Sequence, residues 1–571
     1  MKIIGINNEM FISSAALLVD GEVVAAAAEE RFTREKLSRK FPTKAIEYCL
    51  KQAGLKIEEI DYFANAWNPG VYFQKFNPVF SNQRRSHAEQ LYSVPDHLMK
   101  MFPSEQRNVE YIKQELGLMG KTCTVYYITH HRAHAANAFF QSPFEKSIVL
   151  TADAQGEFES TTWGIGEGHQ YRHEGEILYP HSIGALYSTF TEYLGFRANS
   201  DEWKVMALGA YSHWDNPYYK LFRERVFSAI ADGKYELNLS YFNGYLHEQP
   251  NLFSQKVVED FGPSRKRADE LTERHYEIAA ALQKVTEDVL TEMLCSLYEK
   301  YKIPNISVSG GCFMNSVFNG KILKNTPFKS CYISSCPDDS GNSIGAALYL
   351  NHQILGEKNR FELKHNYLGP EFSNAEIEST LNKFGISFER IDDIEAYTAQ
   401  RLVEGNLIGW FQGRMEFGQR ALGNRSILAD PRRADFKDKV NHAIKYREGF
   451  RPFAPAILEE CVEEYFDIEP GDSVPFMEKV YHIREEQRGK LGAVCHADGT
   501  GRLQTVSKLT NPRFHALIKH FRRATDVPVL LNTSFNLNGE PVVCTPEDAI
   551  RTFNSCGLDL LVLGNFVVRK G

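Results

Sequence analysis

Residues 2–28 read KIIGINNEMFISSAALLVDGEVVAAAA, and the order of short apolar runs in this stretch decides the fold class. Lys2–Asn7 is a brief apolar run of the kind that forms a buried strand. Ser14–Asp20 and Glu22–Ala28 read as two more strands, joined at Asp20-Gly21, a pair that favours the tight turn of a hairpin. The order recurs further along. Ser147–Ala152 (SIVLTA) ends at Asp153, the chain turns at Gly156, and Ser160–Ile165 returns.

A strand, a polar turn and a hairpin therefore occur twice. Two such units facing each other across a cleft resemble the duplicated fold of actin, sugar kinases and chaperone ATPases, an α/β architecture. Arg274–Tyr298 carries a long helical period. Ile306–Ser309, Gly310-Gly311 and Met314–Leu323 read as strand, glycine turn and helix; Cys331–Ser334, the PDDSG turn and Ser343–Leu350 repeat that layout. Residues 355–368 are polar and lack a period, so the boundary is placed there, giving domains 1–357 and 358–571, the second also α/β.

At 571 residues the chain is too long for one core. With 43% hydrophobic and 24% charged residues it has an ordinary globular composition. The net charge of −8 offers no general field for nucleic acid, and no run approaches the length of a membrane helix, so neither nucleic acid nor membrane is expected as a partner. The N-terminus has no long apolar core and no small-residue cleavage site, so it does not read as a signal peptide. Ten scattered cysteines without a CxxC fit reduced thiols in the cytoplasm better than disulfides or a zinc site.

Within this acidic protein, 410–455 is cationic. It holds Arg414, Arg420, Arg425, Arg432, Arg433, Lys445, Arg447 and Arg451 around Gly413, Gly418 and Gly423. Glycines admit close backbone approach, and guanidinium forks match phosphate oxygens, so the segment reads as a pocket for small multiply charged anions. The alternative is a solvated basic surface; Trp410, Phe411, Phe417, Phe450 and Phe453 argue against it.

Three other constellations stand out. His130 and His134 are four apart on a segment that reads as helix, so they share one face. With Asp153 and Asp339, each in a glycine-containing turn after a strand, they form a mixed nitrogen and oxygen set suited to iron, manganese or zinc. The alternative is a polar helix start with a hydrogen-bonded histidine. Ser309-Gly310-Gly311 with Asn315 forms a strand–turn–helix whose N–H groups suit a nucleotide phosphate or ribose, or else a close-packed turn. The HADGTGRLQT segment (496–505) stands out with LLNTSFN (530–536), which follows a strand and presents Asn532, Thr533, Ser534 and Asn536 as short polar donors, in a ligand loop or a satisfied turn.

On these residues the chain resembles the NodU/CmcH carbamoyltransferase family, whose members O-carbamoylate nodulation factors, cephamycins and aminoglycosides. The resemblance spans almost the full length. It is strongest in HHRAHAANAFF (130–140), SGGCFMNSVFNG (309–320), DSGNSIGAA (339–347), GRMEFGQRALGNRSILADPR (413–432), FRPFAPAIL (450–458), QTV (504–506) and LNTSFNLNGEPVV (531–543). It implies a first domain similar to the actin-like transferase that threonylcarbamoylates tRNA adenosine, and a second that is YrdC-like. It also implies that the second domain turns carbamoyl phosphate and ATP, with Mg2+, into carbamoyl-adenylate, and that the first passes the carbamoyl group to a hydroxyl of a small-molecule acceptor in natural-product biosynthesis.

By the same resemblance His130, His134, Asp153 and Asp339 hold iron(II), and Gly310, Gly311 and Asn315 form the nucleotide loop. Arg420, Arg425, Lys445, Arg451, Arg502, Asn532 and Ser534 contact carbamoyl phosphate and ATP, with Lys445, Arg451 and Arg502 acting in catalysis. One departure is plain. Family members commonly carry His-Asp just before the first SAA motif, near the acceptor, where this chain has Phe11-Ile12. A tRNA-directed transferase and a non-catalytic nucleotide-binding relative are the alternative readings. The aromatic 70–110 segment reads as an acceptor-binding insert or as a homodimer contact.

Overall fold

A computed structural model of the protein describes residues 1–8, 12–69, 71, 110–118, 121–231, 233–246, 249–442 and 451–570. The chain divides into two compact units, one of Met1–Val24 with Arg39–Leu363 and one of Ala25–Ser38 with Lys364–Gly571.

The first unit is built on two mixed sheets. One holds β1 (Lys2–Asn7), β2 (Ser14–Val19), β3 (Glu22–Ala28), β4 (Tyr62–Asn65), β5 (Tyr111–Leu118) and β6 (Lys121–Ile128), in the order β3-β2-β1-β4-β6-β5. The other holds β7 (Lys146–Ala152), β8 (Glu159–Glu167) and β9 (Gln170–Leu178). After a separate hairpin of β10 (Phe227–Ala231) and β11 (Lys234–Leu237), β12 (Asn305–Ser309) and β13 (Ser330–Ile333) complete it as β13-β12-β7-β8-β9. β1 runs antiparallel to β2 and parallel to β4, and β4 runs parallel to β6. Likewise β7 runs antiparallel to β8 and parallel to β12, and β12 runs parallel to β13. The order β3-β2-β1-β4-β6 is thus repeated as β9-β8-β7-β12-β13, the duplication expected from residues 2–28 and 147–165.

Two buried helices, His130–Phe139 and Asn342–Leu348, pack in this unit. Their contact depends on missing side chains. A Cβ on Gly345 would overlap the carbonyl oxygen of Ala133, and one on Gly5 of β1 would overlap that of Ser343. Backbone thus meets backbone, and each helix approaches its neighbour more closely than any larger residue permits. Gly345→Ala is expected to cost about 1–3 kcal/mol through overpacking and to lower the Tm by a few degrees. An unchanged midpoint in calorimetry would show that the helices part freely.

Two helical expectations change in detail. Met314–Leu323 is not one helix: a 3-10 turn over Gly311–Met314 is followed by Ser316–Asn319 and Ile322–Asn325, separated at Gly320-Lys321. The helix expected over Ser343–Leu350 starts at Asn342 and passes at Tyr349 into a π-helical stretch ending at Ile354.

The second unit carries a nine-stranded sheet. Its strands are β14 (Glu389–Arg390), β15 (Ile408–Phe411), β16 (Arg425–Ala429), β17 (Ala454–Leu458), β18 (Lys479–His482), β19 (Thr500–Val506), β20 (Val529–Ser534), β21 (Leu560–Leu563) and β22 (Phe566–Arg569). They lie in the order β14-β22-β21-β15-β16-β20-β17-β19-β18. Trp410, Phe411 and Phe453 belong to the packed core of this unit, and Phe417 is also buried. These four aromatics among the charges are therefore explained by core packing, while Phe450, like Arg447, lies outside the described residues.

The segment 25–38 is an N-terminal strap within the second unit. Arg31 is buried and donates to the carbonyl of Gly418 at 2.8 Å, while Arg34 donates to the carbonyls of Pro541 and Val542 at 2.7 and 2.6 Å. All ten cysteines carry free thiols. Among the described residues no helix is long and apolar enough to cross a membrane.

Candidate functional site

β6 ends at Ile128, and the helix His130–Phe139 begins after Thr129. Thr129 makes no side-chain cap. Glu157 supplies one from another segment, accepting from the main-chain N–H of His130 at 3.0 Å and of Asn68 at 2.7 Å. Its carboxylate sits where the helix dipole is positive. Burial pushes its pKa up to about 7.

Four side chains converge at the start of that helix. His130 and His134 point the same way, with 3.1 Å between their Nε2 atoms. Asp153, just beyond β7, brings Oδ2 to 2.9 Å from His134 Nε2 and 3.5 Å from His130 Nε2. Asp339, in the turn after β13, brings Oδ1 to 3.5 Å from both. All four ligand atoms lie within 4.8 Å of one another and all four residues are buried. Gly310 permits the convergence: its φ is +105°, and a Cβ there would overlap the carbonyl of Ala152, next to Asp153. A Cβ on Gly311 would stand 3.0 Å from Asp153 Oδ1.

This set fits a divalent cation. Ligand atoms bonded at about 2.1 Å stand about 3.0 Å apart at right angles and about 3.4 Å apart at tetrahedral angles, which matches these spacings. Asp153 Oδ2 is buried and makes no well-aimed hydrogen bond. Two imidazoles and two carboxylates suit iron, manganese or zinc. The fields of the four groups are strongly interlocked. Burial opposes charge on His134, but Asp153 and Asp339 outweigh it and raise its pKa to about 9. Burial works against the Asp153 carboxylate as well, yet His130 and His134 hold its pKa well below the usual range. Burial, reinforced by Asp153, pushes Asp339 up.

His131, between the two, turns away. Its Nδ1 lies 2.7 Å from Thr151 Oγ1 and its Nε2 lies 3.1 Å from the carbonyl of Glu159. Asn315 is occupied as well: its Oδ1 caps a helix by accepting from Phe318 N at 3.1 Å, and its amide pairs with that of Gln283. Gly310 and Gly311 lie against the aspartate, whereas the Asn315 side chain is spent on its neighbours.

In the second unit a polar face forms on the sheet. Asn532 donates to Gln504 Oε1 at 2.8 Å and to the Ala421 carbonyl at 3.2 Å, and Gln504 donates to the Leu422 carbonyl at 2.9 Å. Strand alternation places Ser534 on the face of Asn532, and Arg502 on the face of Gln504. Asn532 Oδ1 is buried without a hydrogen-bond partner among the described residues. Arg420 and Arg451 are half-buried. The glycine-punctuated loop therefore lies over a face that carries Arg502, Gln504, Asn532 and Ser534.

Two expectations about this segment are corrected. Arg425 is fully buried: it donates to the carbonyls of Gln412, Gly413, Asn424 and Pro370 and lies 3.7 Å over the Phe411 ring. It orders the loop instead of facing a ligand. The loop's amides are also engaged, since Glu416 Oε1 accepts from the N–H groups of Leu422, Asn424 and Arg425. Three amides of the segment are thus spent on the chain's own carboxylate. Arg432 and Arg433 pair with Asp430 and Asp435.

Lys445, Phe11 and nearly all of the 70–110 segment lie outside the described residues. Ile12 is buried, and its carbonyl accepts from Asn7 Nδ2 at 2.7 Å. Nothing in the sequence marks Glu157 and Glu416 as polar partners, whereas Gln504 stands in the 496–505 segment already singled out.

Residues 2–348 match the family described as "Carbamoyltransferase N-terminus" and residues 399–570 the one described as "Carbamoyltransferase C-terminus". Nodulation protein NolNO of Sinorhizobium fredii is 36% identical over 568 residues, covering 99% of this chain and 80% of the relative. An uncharacterised protein of Synechocystis is 38% identical, with 100% of this chain and 96% of the relative covered. The 3'-hydroxymethylcephem-O-carbamoyltransferase of Amycolatopsis lactamdurans is 29% identical over 463 residues, covering 78% of this chain and 81% of the relative.

Proposed function

The chain belongs to the carbamoyltransferase family and is an enzyme of that type, and from this we propose that it makes carbamoyl-adenylate from carbamoyl phosphate and ATP and passes the carbamoyl group to a hydroxyl of a small metabolite. One observation carries the reading: each compact unit has its own buried polar site, a division suited to a reaction in two halves.

In the first half, water cleaves carbamoyl phosphate to carbamate and phosphate. A carbamate oxygen then attacks the α-phosphorus of ATP, and pyrophosphate leaves. Arg502, Asn532 and Ser534 line the face on which this is placed, with Arg420, Lys445 and Arg451 as further cationic partners. They act by positioning anions and neutralising their charge. With the amides of Leu422, Asn424 and Arg425 bound to Glu416, side chains carry this task. On this reading the second unit is YrdC-like.

In the second half the acceptor oxygen attacks the carbamoyl carbon, AMP leaves, and the hydroxyl proton passes to a base. His130, His134, Asp153 and Asp339 would hold a divalent metal, iron(II) by family resemblance, which when bound supplies Lewis-acid polarisation and an anchor for phosphate oxygens. Gly310 and Gly311 bring main chain beside that site without a side chain to obstruct a nucleotide. Neither Phe11 nor Ile12, which stand where family members commonly carry His-Asp, has a titratable group, so the proton passes to another residue.

The test is direct. Purified protein given ATP, Mg2+ and carbamoyl phosphate should release pyrophosphate, and omission of carbamoyl phosphate should return the rate to background. Equal release with and without carbamoyl phosphate would refute the scheme.

A further inference from the structure

The two histidines of the cluster are each held from behind. His134 Nδ1 lies 3.2 Å from Ser309 Oγ, and His130 Nδ1 lies 3.3 Å from the side-chain amide of Asn342. Both partners are wholly buried. Ser309 has one hydroxyl proton and a place to send it, the Pro337 carbonyl at 3.3 Å. Its oxygen is then left to accept from His134 Nδ1–H, so that in the neutral ring, the form that binds a metal ion, the bare nitrogen is Nε2, on the side facing Asp153.

Asn342 makes the matching argument for His130. With its nitrogen turned to the ring, its Oδ1 is buried and has no partner among the described residues. The two ends of a carboxamide have the same shape, and the hydrogen-bond network decides between them. Exchanging them puts the oxygen against Nδ1, where it accepts from the ring. His130 then also carries its proton on Nδ1 and presents a bare Nε2. Asp339 and Asn342 stand three residues apart, so the turn after β13 contributes one candidate ligand and the partner of another.

We propose that Asn342 and Ser309 are positioning residues that fix the tautomers of His130 and His134, so that both Nε2 atoms face a divalent cation as bare lone pairs. The inference rests on reading His130, His134, Asp153 and Asp339 as a metal-holding set. Partners of this kind orient the imidazole ring and raise its basicity as a ligand.

The test uses the full-length protein stripped with chelator and titrated anaerobically with Co(II), followed by its visible absorption. Wild type should take up one equivalent, and Asn342→Ala should weaken uptake about 10–100-fold. Asn342→Asp, which can only accept at that position, should restore affinity and the wild-type spectrum, a rescue that a packing role would not produce. Ser309→Ala should weaken uptake independently and decides the matter should Asn342→Ala fail to fold. Wild-type affinity in both Asn342→Ala and Ser309→Ala, or no rescue by Asn342→Asp, would overturn the inference while leaving the metal reading intact. Failure of wild type to bind Co(II) would instead overturn the reading beneath it.

Discussion

Replacing His130 and His134 together by alanine should abolish carbamoyl transfer and metal uptake while leaving pyrophosphate release near the wild-type rate. Alanine keeps the helix His130–Phe139 intact, because it is the strongest helix former. What disappears is the nitrogen half of the ligand set, leaving Asp153 and Asp339 as buried carboxylates without a cation between them. An anionic pair in that position repels a phosphate-bearing intermediate instead of anchoring it, so transfer should fall by about 10^3-fold or more. In the proposed scheme pyrophosphate arises on the sheet of the second unit, where Arg502, Gln504, Asn532 and Ser534 share a face. The measurement is a parallel assay of pyrophosphate, AMP and metal content. Loss of pyrophosphate and AMP release in equal measure would sink the division of labour.

Arg502→Ala should give the opposite pattern, with pyrophosphate release lowered about 10^2–10^3-fold and metal uptake unchanged. The argument is electrostatic. Carbamate and the triphosphate are both anionic, and bringing them together requires fixed positive charge on the face that receives them. Asn532 and Gln504 can orient but not neutralise, so on this face the charge comes from Arg502, with Arg420, Lys445 and Arg451 as the further cations of the proposed scheme. Arg502→Lys should recover part of the rate, because an ammonium keeps the charge but loses the fork. A wild-type rate in Arg502→Ala would show that the donor reaction lies elsewhere in the chain.

Much of the first unit was legible without coordinates. The strands of residues 2–28 and 147–165 fall where short apolar runs and turn residues place them, since strand patterning depends on immediate neighbours. His130 and His134 share a helix face because helical geometry is equally local. The basic segment was less readable. Residue type reports that Arg425 is a cation, but not that four carbonyls surround it or that Phe411 lies beneath it. Glycine spacing suggests an anion cradle, yet Glu416, within the same loop, already occupies those amides.

By itself the sequence determined the repeated strand order, the helix that aligns two histidines, and the family. Only the tertiary structure decided that Asp153 and Asp339 meet those histidines within 4.8 Å, that Glu157 caps their helix, and that residues 25–38 belong to the second unit. The physical reason is range. Backbone preference and side-chain period act over a few residues, whereas these approaches join segments far apart in the chain. They depend on clearances such as those at Gly310 and Gly345, which composition alone does not reveal.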